Sequence, residues 1–365
     1  MTDSAAAPVR DEDAFDVARM HEWLQAHAGP AYRSDLLPEV RQFAGGASNL
    51  TYLLRYPNGS ESDSGAQPIP ELVLRRPPAG TKARGAHDIG REYRIQAAIA
   101  DAFDLVPTMV AHCADPEVLG SEFYVMERVQ GVIPRRDLPP ELGLTPAQTG
   151  ELCRHVVDVL VRLHSIDVEV AGLGWLGKGQ GYVARQVDGW ITRMHGAATE
   201  DLGDWTGIEA WLRDHQPDDV ATCLIHNDFR LDNLVLDRDD PLRVVGVLDW
   251  EMATLGDPLM DLGSALAYWV EAGDDEVFQQ FRRQPSSAPG MWTRDEIVAY
   301  YCQQMGFTLT PGQWLFYEVF GLYRVAVIAQ QIWYRFVHGQ TSNPAYGVFG
   351  AAVGYLEQRC RSRVG

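Results

Sequence analysis

Three oxygen-bearing side chains in one stretch of the chain have the types and the spacing for phosphate chemistry. Between residues 225 and 261 the sequence runs Ile225-His226-Asn227-Asp228-Phe229-Arg230-Leu231-Asp232-Asn233-Leu234-Val235-Leu236, then a short polar turn, then Val244-Val245-Gly246-Val247-Leu248-Asp249-Trp250. Asn233 follows Asp228 by five positions, and Asp249 closes an apolar run twenty-one positions after Asp228. Magnesium takes hard oxygen donors in near-octahedral geometry and usually draws only one or two carboxylates from protein, leaving the other positions to water and phosphate. Asn233 and Asp249 suit that pattern as metal ligands beside nucleotide phosphates. Phosphoryl transfer asks the protein for alignment and charge neutralisation, so the third group, Asp228, is available to accept the proton of an attacking hydroxyl. Arg230, two positions further on, is placed to reach the transferred phosphate.

The elements that must position these groups can be read from the rest of the chain. Gly45 and Gly46 lie between apolar runs at 40–44 and 50–56, a hairpin whose backbone can approach phosphates closely, with Ser48 and Asn49 as extra donors. A Gly-Gly pair between strands is in general only a turn. A strand at 71–75 ends in Arg75, with Arg76 as a competing cation, and Glu92 opens a helical stretch with Ile95, Ala98, Ile99 and Phe103 on one face. A helix is expected over 15–28, a connection rich in Gly, Ser and Pro over 57–70, and a loop over 285–290. Thr145 with Gln148, Thr293 with Glu296 and Thr310 with Gln313 are capping-box signatures; Leu152, Val156, Val159, Leu160 and Leu163 form the apolar stripe of the first of these helices.

His226-Asn227-Asp228 through Asn233, followed by Val247-Leu248-Asp249 and Gly256-Asp257-Pro258-Leu259-Met260-Asp261-Leu262, resembles the phosphotransferase family that includes the aminoglycoside and choline kinases, relatives of protein kinases. The resemblance covers most of the chain. Within that family, Gly45 to Asn49, Ala86-His87, Arg91-Glu92-Tyr93-Arg94, and Arg185-Gln186-Val187 with Trp190 look most like the kinase-like domains fused to, or accompanying, acyl-CoA dehydrogenases.

The resemblance implies roles residue by residue. Asp228 resembles the catalytic base. Asp261 resembles the aspartate that fastens the catalytic-loop backbone, and His226 a buried organiser of the same loop. Arg75 stands where protein kinases carry lysine, which makes it the phosphate contact, with Glu92 as its partner; a planar guanidinium is not interchangeable with an ammonium, so that pairing is expected to be altered. Phe123 to Gly131 looks like the kinase hinge, implying that the Glu127 carbonyl and the Val129 amide meet the adenine edge and that Met126 lines its pocket. Arg185 and Trp190 are acceptor candidates through the narrower resemblance, and Tyr268 and Trp269, just after the Asp261 helix start, join them. Most other aromatics of the second half belong to the core, since large rings on helices bury well without a ligand.

With 365 residues and 46% hydrophobic composition, the chain is long enough for two lobes with a sizeable core. A formal charge of −19 disfavours nonspecific attraction to nucleic acid or to an anionic membrane. The five cysteines are scattered without ligand-like pairs, so neither a disulfide framework nor a zinc site is indicated, and reduced cytoplasm is the expected setting. The N-terminus lacks the basic start and apolar core of a secretory signal, and the apolar stretch at 319–333 is interrupted by Arg324, Gln330 and Gln331. The expected architecture is α+β and bilobal, protein kinase-like: an N-lobe over 1–128 with a small antiparallel sheet, a Gly-rich loop and one helix, then a hinge and a mainly helical C-lobe over 129–365. The expected reaction moves the γ-phosphate of ATP, with Mg2+, to a hydroxyl of a small-molecule acceptor, a hydroxyacyl-CoA by the narrower resemblance. An aminoglycoside kinase and a nucleotide-binding pseudokinase without turnover stay open as alternatives.

Overall fold

The computed structural model describes residues 6–43, 49–57, 68–78, 88–341 and 343–365. Gly45, Gly46, Ala47, Ser48, Ala86 and His87 lie outside the described residues, and with them the hairpin loop and the Ser48 phosphate contact expected from the sequence. The chain divides into two units, one comprising 1–133 with 233–253 and the other 134–232 with 254–365.

In the first unit a two-residue side-chain period builds one antiparallel sheet. Its strands are β1 (Ala6–Ala7), β2 (Glu39–Phe43), β3 (Leu50–Arg55), β4 (Leu72–Arg76), β5 (Met109–Cys113) and β6 (Phe123–Glu127), in the spatial order β1-β2-β3-β4-β6-β5. Tyr52, Leu54, Leu72, Leu74, Ala111, Cys113, Phe123 and Val125 pack on one face, joined by Met20 and Leu24 of helix α1 (Val17–His27). The alternate residues Phe43, Leu53, Val73, Tyr124 and Met126 pack on the other, against Ile89 and Tyr93 of helix α2 (Ile89–Ile99). The period of two therefore decides between the two adjacent arginines of β4. Arg76 shares the α1 face and is buried, donating to the Tyr52 hydroxyl and to the carbonyls of Leu119 and Asp13, whereas Arg75 points to the α2 face. Helix α2 begins three residues before Glu92, capped by the Asp88 side chain, which accepts from the Arg91 amide. A short helix α3 (Pro116–Leu119) precedes β6.

The second unit is mainly helical. It holds α4 (Pro146–His164), α5 (Tyr182–Gly196), α6 (Thr206–Asp214), α7 (Pro258–Leu266), α8 (Glu276–Gln280), α9 (Arg294–Met305), α10 (Pro311–Val337) and α11 (Phe349–Val364). The capping boxes read from the sequence stand at the starts of α4, α9 and α10. The stripe of α4 from Leu152 to Leu163 is buried as its spacing required. Helices α7 and α10 approach closely because both contact points are glycine: a Cβ on Gly263 would lie 2.6 Å from the Tyr317 carbonyl oxygen, and one on Gly321 would lie 2.3 Å from the Gly263 carbonyl oxygen. Four further strands follow in the chain, β7 (Cys223–Ile225), β8 (Leu234–Leu236), β9 (Val244–Val247) and β10 (Thr254–Gly256); β8 pairs with β9 in the first unit and β7 with β10 in the second. An antiparallel sheet followed by a mainly helical region is the expected protein kinase-like α+β fold. All five cysteines are free and buried. Among the described residues no helix is long and apolar enough to cross a membrane.

Candidate active site

In the first unit the β8/β9 ladder brings two of the sequence candidates to one end. Leu234 stands opposite Val247, and one step beyond them the Asn233 carbonyl accepts a 2.8 Å hydrogen bond from the Leu248 amide, so Asn233 and Asp249 lie at the same end of the ladder. Asp249 is one of two described non-glycine residues with positive φ, at φ 69° and ψ 60°. Such a conformation is uncommon for residues other than glycine and persists where its surroundings over-determine it. Those surroundings are visible: Trp250 is fully buried, its indole donates to the Val247 carbonyl at 2.9 Å, and its ring meets Phe103 edge-on at 6.0 Å. Arg91 ties α2 to the same turn by donating to the carbonyls of Glu251 and Ala253.

Arg75 joins two acids of this unit. Its Nη1 lies 2.7 Å from Glu92 Oε1 and its Nη2 3.2 Å from Asp249 Oδ1. Burial alone would lower the guanidinium pKa, but Glu92, Tyr124, Asp249 and Glu251 together hold it well above its ordinary value, so this is a permanent cation. Glu92 is 1% exposed, while Asp249 is 37% exposed and presents its carboxylate outward. An amide oxygen and an accessible carboxylate at one ladder end make the donor set that magnesium accepts from protein. Among the described residues no three His, Cys, Asp or Glu side chains converge as an alternative metal site. Asn49 is buried, and its amide donates to Glu251 Oε2 at 3.3 Å.

The hinge-like segment is fixed from both sides. The Glu127 amide donates to the Thr108 carbonyl and the Arg128 amide to the Glu71 carbonyl, each at 2.8 Å, while Glu127 Oε1 accepts from the Tyr32 hydroxyl. Met126 is buried in the apolar face with Val73 and Leu53, and Val129 packs over Gly246 of β9. Beyond it Val132 and Leu236 exchange two backbone hydrogen bonds, an approach that only glycine permits at position 131, where a Cβ would meet the Leu236 carbonyl oxygen at 2.3 Å.

The second unit carries the Asp228 loop. Asp261, fully buried in the first turn of α7, accepts from the backbone amides of His226 at 2.7 Å and Asn227 at 2.8 Å and from His164 Nε2 at 3.1 Å. Burial raises its pKa, but these hydrogen bonds and the nearby imidazoles outweigh it and hold the carboxyl below its ordinary range. Asn227 is the other described non-glycine residue with positive φ, at 64°, and two further contacts join the Asp261 bond in holding it. The Tyr182 hydroxyl donates to its side-chain oxygen at 3.2 Å, Arg324 Nη2 donates to its carbonyl at 2.7 Å, and its own amide is the one bound by Asp261. The His226 ring is buried and accepts from the Asp228 amide at 3.3 Å.

Arg230 pairs with both Asp228, at 3.3 Å, and Asp232, at 3.2 Å, and lies over the Tyr268 ring, 4.9 Å from its centroid. Burial raises the Tyr268 phenol pKa, and Arg324, Asp228, Arg230 and Asp232 all stand close enough to act on it. Trp190 has two cations over its ring, with Arg193 4.7 Å and Arg324 5.3 Å from its centroid. Tyr268 and Trp190 thus join the Asp228 surroundings. Arg185 and Trp269 do not: Arg185 donates to the Gly179 and Gln180 carbonyls of its own loop, and the Trp269 indole donates to the Trp292 carbonyl. The sequence reading missed Arg324, Tyr182 and Gln284, whose side chain accepts from the Leu231 amide. A lone arginine inside an apolar helix was the available signal for the first.

Comparisons with known proteins complete the description. The family described as "Phosphotransferase enzyme family" matches residues 39–297. Acyl-CoA dehydrogenase family member 10 of Mus musculus is 35% identical over 337 residues, which are 92% of this chain and 30% of that one. Acyl-CoA dehydrogenase family member 11 of Homo sapiens is 33% identical over 354 residues, 96% of this chain and 43% of that one. The chain therefore spans less than half the length of these relatives. A solved structure from Ralstonia eutropha, provisionally named an aminoglycoside phosphotransferase, superposes with a TM-score of 0.79 at 30% identity, covering 96% of this chain and 98% of that one. The GDP complex of aminoglycoside 2'-phosphotransferase-IIIa shares the fold, with a TM-score of 0.58 at 13% identity over 95% of this chain and 99% of that one.

Proposed function

This chain belongs to the phosphotransferase enzyme family, and from that membership we propose that it transfers the γ-phosphate of ATP to a hydroxyl of a small molecule, with hydroxyacyl-CoA as the acceptor class. The observation that carries the reading is the single Arg75 guanidinium bound to Glu92 and Asp249, with Asn233 at the same end of the β8/β9 ladder as Asp249. In this reading Asn233 and Asp249 hold Mg2+, which when bound neutralises phosphate oxygens and orients them. Arg75 contacts phosphate, Glu92 fixes Arg75, and Ser48 and Asn49 supply further donors. The Glu127 carbonyl and the Val129 amide meet the base, beside Met126. Asp228 accepts the proton of the acceptor hydroxyl, and Arg230, already against Asp228, meets the transferred group.

The acceptor class rests on the dehydrogenase-named relatives, and the setting, reduced cytoplasm, on five cysteines that are all buried and free. The Ralstonia structure favours a second reading, phosphorylation of an aminoglycoside. Magnesium-dependent ATP consumption measured with hydroxyacyl-CoA thioesters and, separately, with kanamycin distinguishes the two. Turnover on the thioesters supports the proposal, turnover on kanamycin alone replaces it, and nucleotide binding without turnover on either leaves a pseudokinase.

A further inference from the structure

Helix α10 is apolar along most of its 27 residues, yet it carries Arg324 on its buried face at 6% exposure. Removing a charge from water costs several kcal/mol unless an opposite charge and hydrogen bonds compensate it, so buried guanidinium groups are normally paired with acids. Arg324 makes no ion pair among the described residues. Its one hydrogen bond there is to the Asn227 carbonyl, and its guanidinium carbon lies over the Trp190 ring, 5.3 Å from the centroid. The residue it fixes immediately precedes Asp228, and Tyr268 lies close enough to feel both Arg324 and Asp228. Of the two cations near Tyr268, Arg230 is paired with Asp228 and Asp232, which leaves Arg324 as the one without an ion pair among the described residues.

We propose that Arg324, with Trp190 and Tyr268, forms a subsite for an anionic group of the acceptor, a carboxylate or a phosphate, carried close to the hydroxyl that Asp228 receives. The proposal rests on the phosphotransferase reading above but departs from its acceptor class, since the carboxyl of a hydroxyacyl-CoA is a neutral thioester. The anion accepts from the guanidinium nitrogens that no described protein group accepts from, forming charge-assisted hydrogen bonds. The guanidinium lies over the Trp190 ring and Asn227 fixes its edge, so the fork is oriented before the ligand arrives.

The test is equilibrium binding by calorimetry on the full chain, with 3-hydroxybutanoate against its methyl ester and glycerol 1-phosphate against glycerol. The anion of each pair is expected to bind roughly tenfold or more tightly than its neutral partner, the usual worth of a hydrogen bond to a charged group. The pair with the larger ratio tells carboxylate from phosphate. Arg324→Met is expected to erase the preference; should that variant not fold, Arg324→Lys, which keeps the charge and loses the fork, is expected to reduce it several-fold. Equal binding of anion and neutral partner in both pairs, or a preference that survives Arg324→Met, overturns the subsite. ATP turnover on the same compounds separates the two claims. Anion preference without turnover on these compounds, the thioesters or kanamycin leaves the subsite and removes the kinase reading, whereas equal turnover on acids and esters removes the subsite and leaves the kinase.

Discussion

Arg75 and Glu92 meet at 2.7 Å through side chains 12% and 1% exposed, and the same guanidinium reaches Asp249 at 3.2 Å. A planar fork can hold two acids at once; the compact ammonium of lysine offers no such spread. Breaking a buried pair from one side strands a charge, which typically destabilises by about 3–5 kcal/mol. Arg75→Met should therefore lose stability on that scale in urea denaturation, and Arg75→Met combined with Glu92→Leu should recover a good part of it. A single variant as stable as the parent would show that Glu92 does not depend on Arg75.

Asp228 and Asp249 belong to different units and are expected to fail differently. Asp228→Asn keeps the size but removes the proton acceptor and the charge facing Arg230, so transfer should fall by about 100-fold or more while nucleotide affinity holds. Asp249→Asn should weaken magnesium-nucleotide binding as well as turnover. Single-turnover phosphorylation alongside nucleotide titration reads both, and undiminished transfer in Asp228→Asn would remove that residue from the role of base.

The two glycines between α7 and α10 link stability to the Asp228 loop. A methyl at Gly321 would lie 2.3 Å from the Gly263 carbonyl oxygen, backbone that cannot swing aside. Overpacking of this kind costs about 1–3 kcal/mol, so Gly321→Ala should lower the melting temperature by several degrees. Because Arg324 lies one helical turn on and holds the Asn227 carbonyl, kcat should fall too. Gly312→Ala, where a Cβ meets nothing within 4 Å, is the control that should lower neither.

What the sequence made legible was the chemistry carried by local spacing. Asp228, Asn233 and Asp249 sit in one short stretch whose residue types have few other uses together, and the capping boxes of α4, α9 and α10 are encoded within four residues each. The choice of Arg75 over Arg76 was left open in the chain because adjacent cations look alike until the strand's alternation is tied to a particular face. Arg324 was visible only as an interruption in an apolar stretch. Its partner Asn227 lies 97 positions away, and no local pattern encodes a contact that depends on two helices meeting at glycine. The unit boundary was equally hidden: 233–253 joins residues 1–133 through the Val132–Leu236 bridge, the Val247 amide on the Leu105 carbonyl and the Arg75–Asp249 pair, which are long-range pairings.

Asp257 and Asp261, in the cap and first turn of α7, should respond to pH in opposite senses. Burial pushes Asp257 up to about 6, even though the amides of Val220, Leu259 and Met260 all donate to it. Between about pH 4, where an unfolded aspartate titrates, and about pH 6 the folded chain holds a proton that the unfolded chain has lost, so this group contributes stability at low pH that disappears as pH rises through 6. Asp261, held below its ordinary range, contributes stability above about pH 4 that is lost as pH falls through its lowered folded value. Asp257→Asn turns an amide NH2 toward the Val220 N–H or the α7 amides, a penalty present at every pH, but it removes the titration. Unfolding free energies from urea melts at about pH 4 and pH 7 should then differ from the parent's change by about 2 kcal/mol, in the direction of less loss on going to neutral pH. An unchanged pH slope in Asp257→Asn would mean that this carboxylate stays ionised throughout, its three backbone donors having offset its burial.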